Sequence, residues 1–148
     1  GDCFYVPAED ASYPIILAGT GTGLAPLYGI ARKALALGHT GPIQLFHGAL
    51  KEEDLYLVEA LQALEGNPTF RYVPCVLGGT SGQFYACGNV QDIAMAALPQ
   101  DKRAVRVFLC GAPDFVKSLR RKVYLAGVGS GHIFADAFLP SQAISSAA

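Results

Sequence analysis

The stretch "LAGTGTGLAPLYG", residues 17–29, puts three glycines into five positions, directly after an apolar run and directly before a proline-led helical pattern. The run ahead of it, "PIILA" (14–18), is short, continuous and apolar, as a central parallel strand buried on both faces must be. Behind it, Leu27, Ile30, Ala31, Ala34 and Leu35 fall at i, i+3, i+4, i+7 and i+8, one stripe of a helix, with Arg32 and Lys33 outside the stripe. Pro26 suits the first turn of that helix and Gly38 its stop. A strand therefore feeds a helix through a turn almost bare of side chains.

The rest of the chain repeats this alternation. "PIQLFHGA" (42–49) supplies a second strand, and Leu57, Ala60, Leu61 and Leu64 stripe a second helix that starts near Asp54 and ends at Gly66, Asn67 and Pro68. "TFRYVPCVL" (69–77) alternates as a third strand, with Pro74 marking its limit. Residues 78–89 read as a loop, 90–98 as a third helix and "VRVFLC" (105–110) as a fourth strand. A helix over 113–126 follows, with Val116, Leu119, Val123 and Ala126 on its inner stripe and Gly127 as its stop. "HIFADAF" (132–138) gives a fifth strand, and 139–148 read as a flexible C-terminal tail. The expectation is an α/β domain over residues 1–138, a three-layer, Rossmann-like doubly wound parallel sheet of about five strands with helices on both faces. Ligands of such sheets bind beyond the carboxyl ends of the strands, where strand order reverses, so functional residues belong in the loops after strands.

At 148 residues the chain is one ordinary domain. Hydrophobic residues make up 51% and charged residues only 16%, against about 25% charged in an ordinary soluble domain. Part of the surface is therefore expected to be covered by something beyond this chain. A net charge of -1 with scattered Lys and Arg leaves no footprint for nucleic acid. No run approaches the roughly 18 apolar residues of a spanning helix, and "GDCFYVPAED" has neither the basic nor the apolar region of a signal peptide. A cytoplasmic protein with no membrane partner is expected. Its first residue is Gly rather than Met, as in a piece of a longer chain. Cys3, Cys75, Cys87 and Cys110 are far apart in sequence with no Cys-x-x-Cys pair, which argues against an iron-sulfur or zinc site built from this chain alone and for reduced, separate thiols.

A bare strand-to-helix turn lets a phosphate approach backbone N–H groups, and the positive end of the helix dipole favours its charge. The turn from Gly19 to Pro26 fits an anion in that way. Its Gly-x-Gly-x-Gly spacing misses the Gly-x-Gly-x-x-Gly dinucleotide fingerprint, and no Gly-Lys-Ser/Thr follows, which disfavours a Walker-type NTPase. The same glycines would equally serve a tight turn that lets the helix pack close, and spacing alone leaves both readings open. A second such turn is "LCGAPDF" (109–115), where a strand ends in Cys110, Gly111 leaves the backbone accessible and Pro113 opens a helix. Cys110 by itself reads as a buried small hydrophobe or as a thiol touching a ligand, not as a nucleophile, because none of His39, His47 and His132 is tied to it by a recognisable pattern. The three histidines read as surface or packing residues.

Both turns together resemble the nicotinamide-nucleotide-binding domain of the ferredoxin reductase family, the flavin-dependent electron-transfer reductases, in its bacterial oxygenase-reductase branch. The resemblance runs from Tyr5 to Phe138 in unbroken motif order. "GTGTGLAP" is similar to the family's glycine loop, "HGALKEEDLYL" to the segment after its second strand, "GNVQDIAM" to its Gly-x-Val-x-Asp segment, "CGAPDFV" to its Cys-Gly-Pro turn and "ADAF" to its chain end. "GDCFYV" resembles the entry into this domain just past a flavin-binding barrel, which is accordingly expected upstream.

The resemblance implies that Gly21, Thr22 and Gly23 hold the pyrophosphate of NADH or NADPH, with Gly19 and Thr20 also cofactor-binding and Pro26 ordering the turn. It puts Cys110 and Gly111 beside the nicotinamide, positioning it, counts Ala112, Pro113 and Phe115 among the cofactor-binding residues, and puts Phe138 near the flavin. Gly48, Ala49, Lys51 and Asp54 would face the adenosine ribose. The sequence departs from the pattern at Leu50, where relatives often carry Arg, and at Ala112, where they usually carry Pro. Lys51 would meet a 2'-phosphate, but Glu52, Glu53 and Asp54 beside it would repel one, which favours NADH. The implied whole protein delivers hydride from NAD(P)H to FAD in the barrel and then electrons to an iron-sulfur domain or partner protein. The domain alone is expected to be inactive and, with its docking face bare, to self-associate. Two rivals are a methyltransferase, which would want an acid at the end of the second strand where this chain has Gly48-Ala49-Leu50, and a non-catalytic NAD(H)-binding sensor or docking module.

Overall fold

The strands richest in β-branched and leucine side chains lie at the centre of the sheet, where both faces are covered and alternation is not required. The computed structural model describes residues 3–6 and 11–138. In chain order the elements are β1 (Ile15–Thr20), α1 (Leu24–Ala36), β2 (Ile43–Ala49), α2 (Val58–Leu64), β3 (Phe70–Val76), β4 (Ala86–Cys87), α3 (Val90–Ala96), β5 (Arg106–Gly111), α4 (Pro113–Leu125) and β6 (Ile133–Ala137). Short 3-10 turns occupy Gly21–Gly23, Glu52–Asp54 and Ser130–His132. All six strands are parallel, in the order β4-β3-β2-β1-β5-β6.

Alternate residues of the central strands feed two cores. Ile15, Leu17, Ile43, Leu45, Phe108 and Cys110 face one way and pack with Leu24, Leu27, Ile30, Ala31 and Ala34 of α1 and Leu61 of α2. Ile16, Ala18, Phe46, Val107 and Leu109 face the other way and meet Val90 and Ala94 of α3 and Val116, Leu119 and Val123 of α4. The α1 stripe read from the sequence is thus the buried stripe, and each fully buried leucine or isoleucine in it contributes about 1.5–3 kcal/mol. Gly38 and Gly127, at φ 85° and 115°, end α1 and α4.

Four boundaries differ from the sequence reading, each for a local reason. The second helix starts at Val58, not near Asp54, because Glu52–Asp54 form a 3-10 turn and Leu57 takes a left-handed conformation, φ 56°, that puts its side chain outside the apolar stripe. Pro74 lies inside β3 rather than at its limit. Leu77 N donates to Ala49 O, so odd positions of β3 bond to β2, and the nitrogen of Pro74 faces the other side, where β4 pairs only Cys75 and Val76. No ladder bond is lost there. The stretch taken as a loop contains β4, which raises the sheet from about five strands to six. Ala126, placed on the inner stripe of α4, is its exposed C-cap, because the helix stops one residue earlier. The proposed tail, 139–148, lies outside the described residues.

Candidate functional site

Strand order reverses beside β1. The chain runs outward from β1 through β2, β3 and β4, then returns to β5 on the other flank of β1 and ends on β6. The switch point lies at the carboxyl ends of β1 and β5, at Thr20 and Gly111, the place where open α/β sheets bind ligands. Both glycine turns identified in the sequence stand at it.

The glycines of the first turn divide the two readings that spacing left open. A Cβ on Gly23 would run into the carbonyl of Cys110, and one on Gly19 would lie 2.6 Å from Leu27 Cδ1 and 2.8 Å from Cys110 O. These two are bare because the turn packs against the end of β5. Gly21 has a different reason: it sits at φ 52°, exposed, with nothing within 4 Å of a built Cβ. Its backbone requires glycine, and the space over it is open to a ligand. Thr22 beside it is exposed as well. Behind them α1 begins at Gly23 with no side-chain cap and no acidic residue in its first turn. Leu24 N is spent on Gly21 O and Pro26 has no N–H, so an anion here would meet the N–H of Ala25 and the positive end of the helix dipole.

Four hydrogen bonds fix this region. Ala112 N donates to Thr20 Oγ1 at 3.3 Å, joining the second turn to the first. Phe138 N donates to Gly111 O at 2.8 Å, which sets Phe138 at the same corner. Tyr56 Oη donates to Gly21 O at 2.6 Å, and Leu24 N donates to the same carbonyl. Burial raises the pKa of the Tyr56 phenol, so it remains a donor. Gly111, at φ 143°, has Thr20 where a Cβ would go, with Thr20 N at 2.9 Å.

A cleft of about 510 Å³ extends from Thr20 and Gly21 across the ends of β2, β3 and β4. Of the residues expected to bind cofactor, it takes in Thr20, Gly21, Gly48, Ala49, Asp54 and Phe115. Cys110, Gly111, Ala112, Pro113 and Phe138 gather instead at the β5 corner, with Cys110 fully buried. Pro26 lines a separate groove of about 460 Å³ with Cys3, Phe4, Tyr5, Gly29, Ile30 and Lys33. Lys51 is exposed outside the cleft, while Leu50 and Asp54 line it.

The sequence reading missed one wall of the cleft, Gly88, Asn89, Val90 and Gln91. Asn89 caps α3 by accepting the Gln91 N–H at 2.8 Å, a signal legible in "GNV" once that segment is known to reach the sheet through β4. Gly48 is bare because Val90 Cγ1 stands 2.6 Å from where its Cβ would be. His47, read as a packing residue, is buried at the cleft with its ring edge-on to Tyr56, centroids 5.5 Å apart. Burial lowers its pKa. The Gly21 carbonyl opposes that shift, although neither ring nitrogen reaches hydrogen-bond geometry. Burial pushes the Cys75 thiol, also in the cleft, up to about 12, which rules it out as a nucleophile near neutrality.

The thiols need one correction. All four cysteines are free, but Cys3 and Cys110 are not separate: with Asp136 they bring their donor atoms within 4.8 Å of one another. Sequence spacing could not show this, because Cys3 comes from the chain's start and Cys110 and Asp136 are register partners on β5 and β6.

Uncapped helix, open glycine turn, strand-order reversal and elongated cleft together define a nucleotide-binding α/β domain. Residues 17–121 match the oxidoreductase NAD-binding domain family, and the chain belongs to that family. It is 40% identical over 129 residues to the ferredoxin--NAD(P)(+) reductase component of the naphthalene 1,2-dioxygenase/salicylate 5-hydroxylase systems of a Ralstonia species, covering 86% of this chain and 39% of that protein. It is also 40% identical over 113 residues to the reductase subunit of an Amycolatopsis aromatic O-demethylase, covering 76% and 33%. Among solved structures, an Amycolatopsis cytochrome P450 reductase superposes with a TM-score of 0.83 at 33% identity, covering 93% of this chain and 42% of that one. The chain thus spans about two fifths or less of the length of these relatives. No helix among the described residues is long and apolar enough to cross a membrane.

Proposed function

We propose that this chain is the nicotinamide-dinucleotide-binding part of a flavin-dependent electron-transfer reductase, acting with a flavin-binding domain in the same protein and passing electrons to an iron-sulfur domain or partner protein. The observation that carries the reading is the coupling of an anion-ready turn to the β5 corner: Thr20 bonds Ala112 while Gly21 lies open ahead of an uncapped α1. Gly21, Thr22 and the positive end of the α1 dipole hold the pyrophosphate. The cleft beyond Gly48 takes the adenosine, and Cys110, Gly111 and Phe138 orient the nicotinamide end.

When bound, the nicotinamide supplies a hydride to the flavin. The chain's own residues contribute position rather than acid–base chemistry, since the β5 corner offers backbone and a buried thiol. Leu50, Glu52, Glu53 and Asp54 at the ribose end favour NADH over a 2'-phosphorylated dinucleotide. The flavin domain docks over Phe4, which is 60% exposed and lines the groove at Pro26 and Ile30. This explains the low charge content, and in its absence the same face drives self-association. A cytoplasmic setting suits such a partner.

Calorimetric titration of the 148-residue chain tests the reading. NADH is expected to bind, NADPH more weakly, and S-adenosylmethionine not at all. The chain alone should not oxidise NADH. Absence of NADH binding by a folded sample refutes the assignment.

A further inference from the structure

We propose that Cys3, Cys110 and Asp136 form a three-donor site for a thiophilic divalent cation, zinc being the commonest of that class, and that an ion held there closes the nicotinamide corner. The second half rests on the function proposed above; the first does not.

The donor set is the first argument. Two thiols and a carboxylate suit zinc and its analogues, and three protein ligands leave a fourth position for water. Their ligand atoms already lie within 4.8 Å of one another. Tetrahedral zinc, with bonds of about 2.3 Å to sulfur and 2.0–2.2 Å to oxygen, asks for ligand separations of roughly 3.5–3.8 Å. A rotamer adjustment at half-buried Cys3 supplies that contraction. The other two donors are fixed by backbone, since Cys110 and Asp136 pair in register across parallel strands.

The surroundings are the second argument. Cys3 N donates to Asp136 Oδ2 at 2.9 Å, orienting the carboxylate as supporting groups of metal sites do. Cys3 Sγ donates to Leu109 O at 3.3 Å and to Phe134 O at 3.7 Å, so its proton is held by two carbonyls. Binding the cation displaces the thiol protons of Cys3 and Cys110 to solvent. Three groups that would repel one another as anions share one corner, and a divalent cation removes that repulsion. Because the Cys110 carbonyl abuts Gly23 and the next residue abuts Thr20, an ion drawn onto the Cys110 side chain acts on the residue that spaces the two turns.

The test uses the full chain, metal-free and reduced with a phosphine, titrated with Co²⁺. One equivalent should produce a thiolate-to-cobalt charge-transfer band, removable by Zn²⁺. The band should vanish in Cys3→Ser, require at least tenfold more Co²⁺ in Asp136→Asn, and persist in Cys87→Ser, which removes an exposed thiol. Circular dichroism verifies that each variant is folded. No band in the unaltered chain, a band that survives Cys3→Ser, or one lost in Cys87→Ser overturns the site. In a second arm, one equivalent of Zn²⁺ should weaken NADH binding at least tenfold in the unaltered chain and leave Cys3→Ser unchanged. Equal affinity with and without Zn²⁺ overturns the closure. A chain that binds cobalt but no NADH refutes the functional reading and leaves the metal site standing.

Discussion

The hydroxyl of Tyr56 donates to the carbonyl of Gly21 across a gap of 2.6 Å, so the segment after β2 holds the turn after β1. Tyr56 is 38% exposed, and a bond at such a site is worth about 0.5–1 kcal/mol. Tyr56→Phe should weaken NADH binding by about two- to fivefold with little change in melting temperature. An unchanged dissociation constant would mean that the turn keeps its shape without this bond.

The glycines of the first turn should separate by assay. Gly23→Ala drives a methyl group into the Cys110 carbonyl and should cost about 1–3 kcal/mol of stability, lowering the melting temperature by roughly 3–10 °C. Gly21→Ala meets no atom but must hold a positive φ, a strain of about 1–2 kcal/mol. It should lose dinucleotide affinity more than stability. Thermal denaturation and NADH titration of both variants decide whether stability and binding divide in this way.

Selectivity at the ribose end follows from charge. Asp54 and Leu50 line the cleft, and Glu52 and Glu53 stand exposed between them. Leu50→Arg combined with Asp54→Asn should raise NADPH affinity about tenfold, the effect of roughly 1.4 kcal/mol, and leave NADH nearly unchanged. Competition of the two dinucleotides for the variant measures this.

His47 makes stability depend on pH. Burial lowers its folded pKa below the ordinary value, near 6.5, so between those two values the unfolded chain carries the extra proton. Its contribution is complete above about pH 6.5 and declines as pH falls below that point. Melting temperatures taken from pH 8 down to pH 5 should drop more for the unaltered chain than for His47→Gln. Parallel curves would show that His47 is not the group responsible.

What the sequence disclosed was what local sterics dictate. Gly38 and Gly127 end helices because they take positive φ, and Leu27, Ile30, Ala31 and Ala34 bury because their spacing puts them on one face. Thr20, Gly21, Gly48 and Ala49, which the family resemblance made cofactor-binding candidates, line the cleft at the ends of β1 and β2. β4 was not legible, since two residues become a strand only by pairing with Cys75 and Val76, and with it went the wall from Gly88 to Gln91. Leu57 misled because an apolar residue at helical spacing gives no sign that its backbone turns left-handed. Cys3 beside Cys110 was invisible for a different reason: 106 positions separate it from Leu109, whose carbonyl its thiol meets.

The contact of Gly23 with the Cys110 carbonyl, reinforced by Thr20 on Ala112, leaves room for no side chain between the two turns but that of Thr20. The spacing of the two turns is thereby set by the main chain and one threonine, insulated from most substitutions. Diversification within this fold is then channelled to the rim around Leu50 and Gln91, where a change of cofactor or partner leaves the interlocked centre as it was.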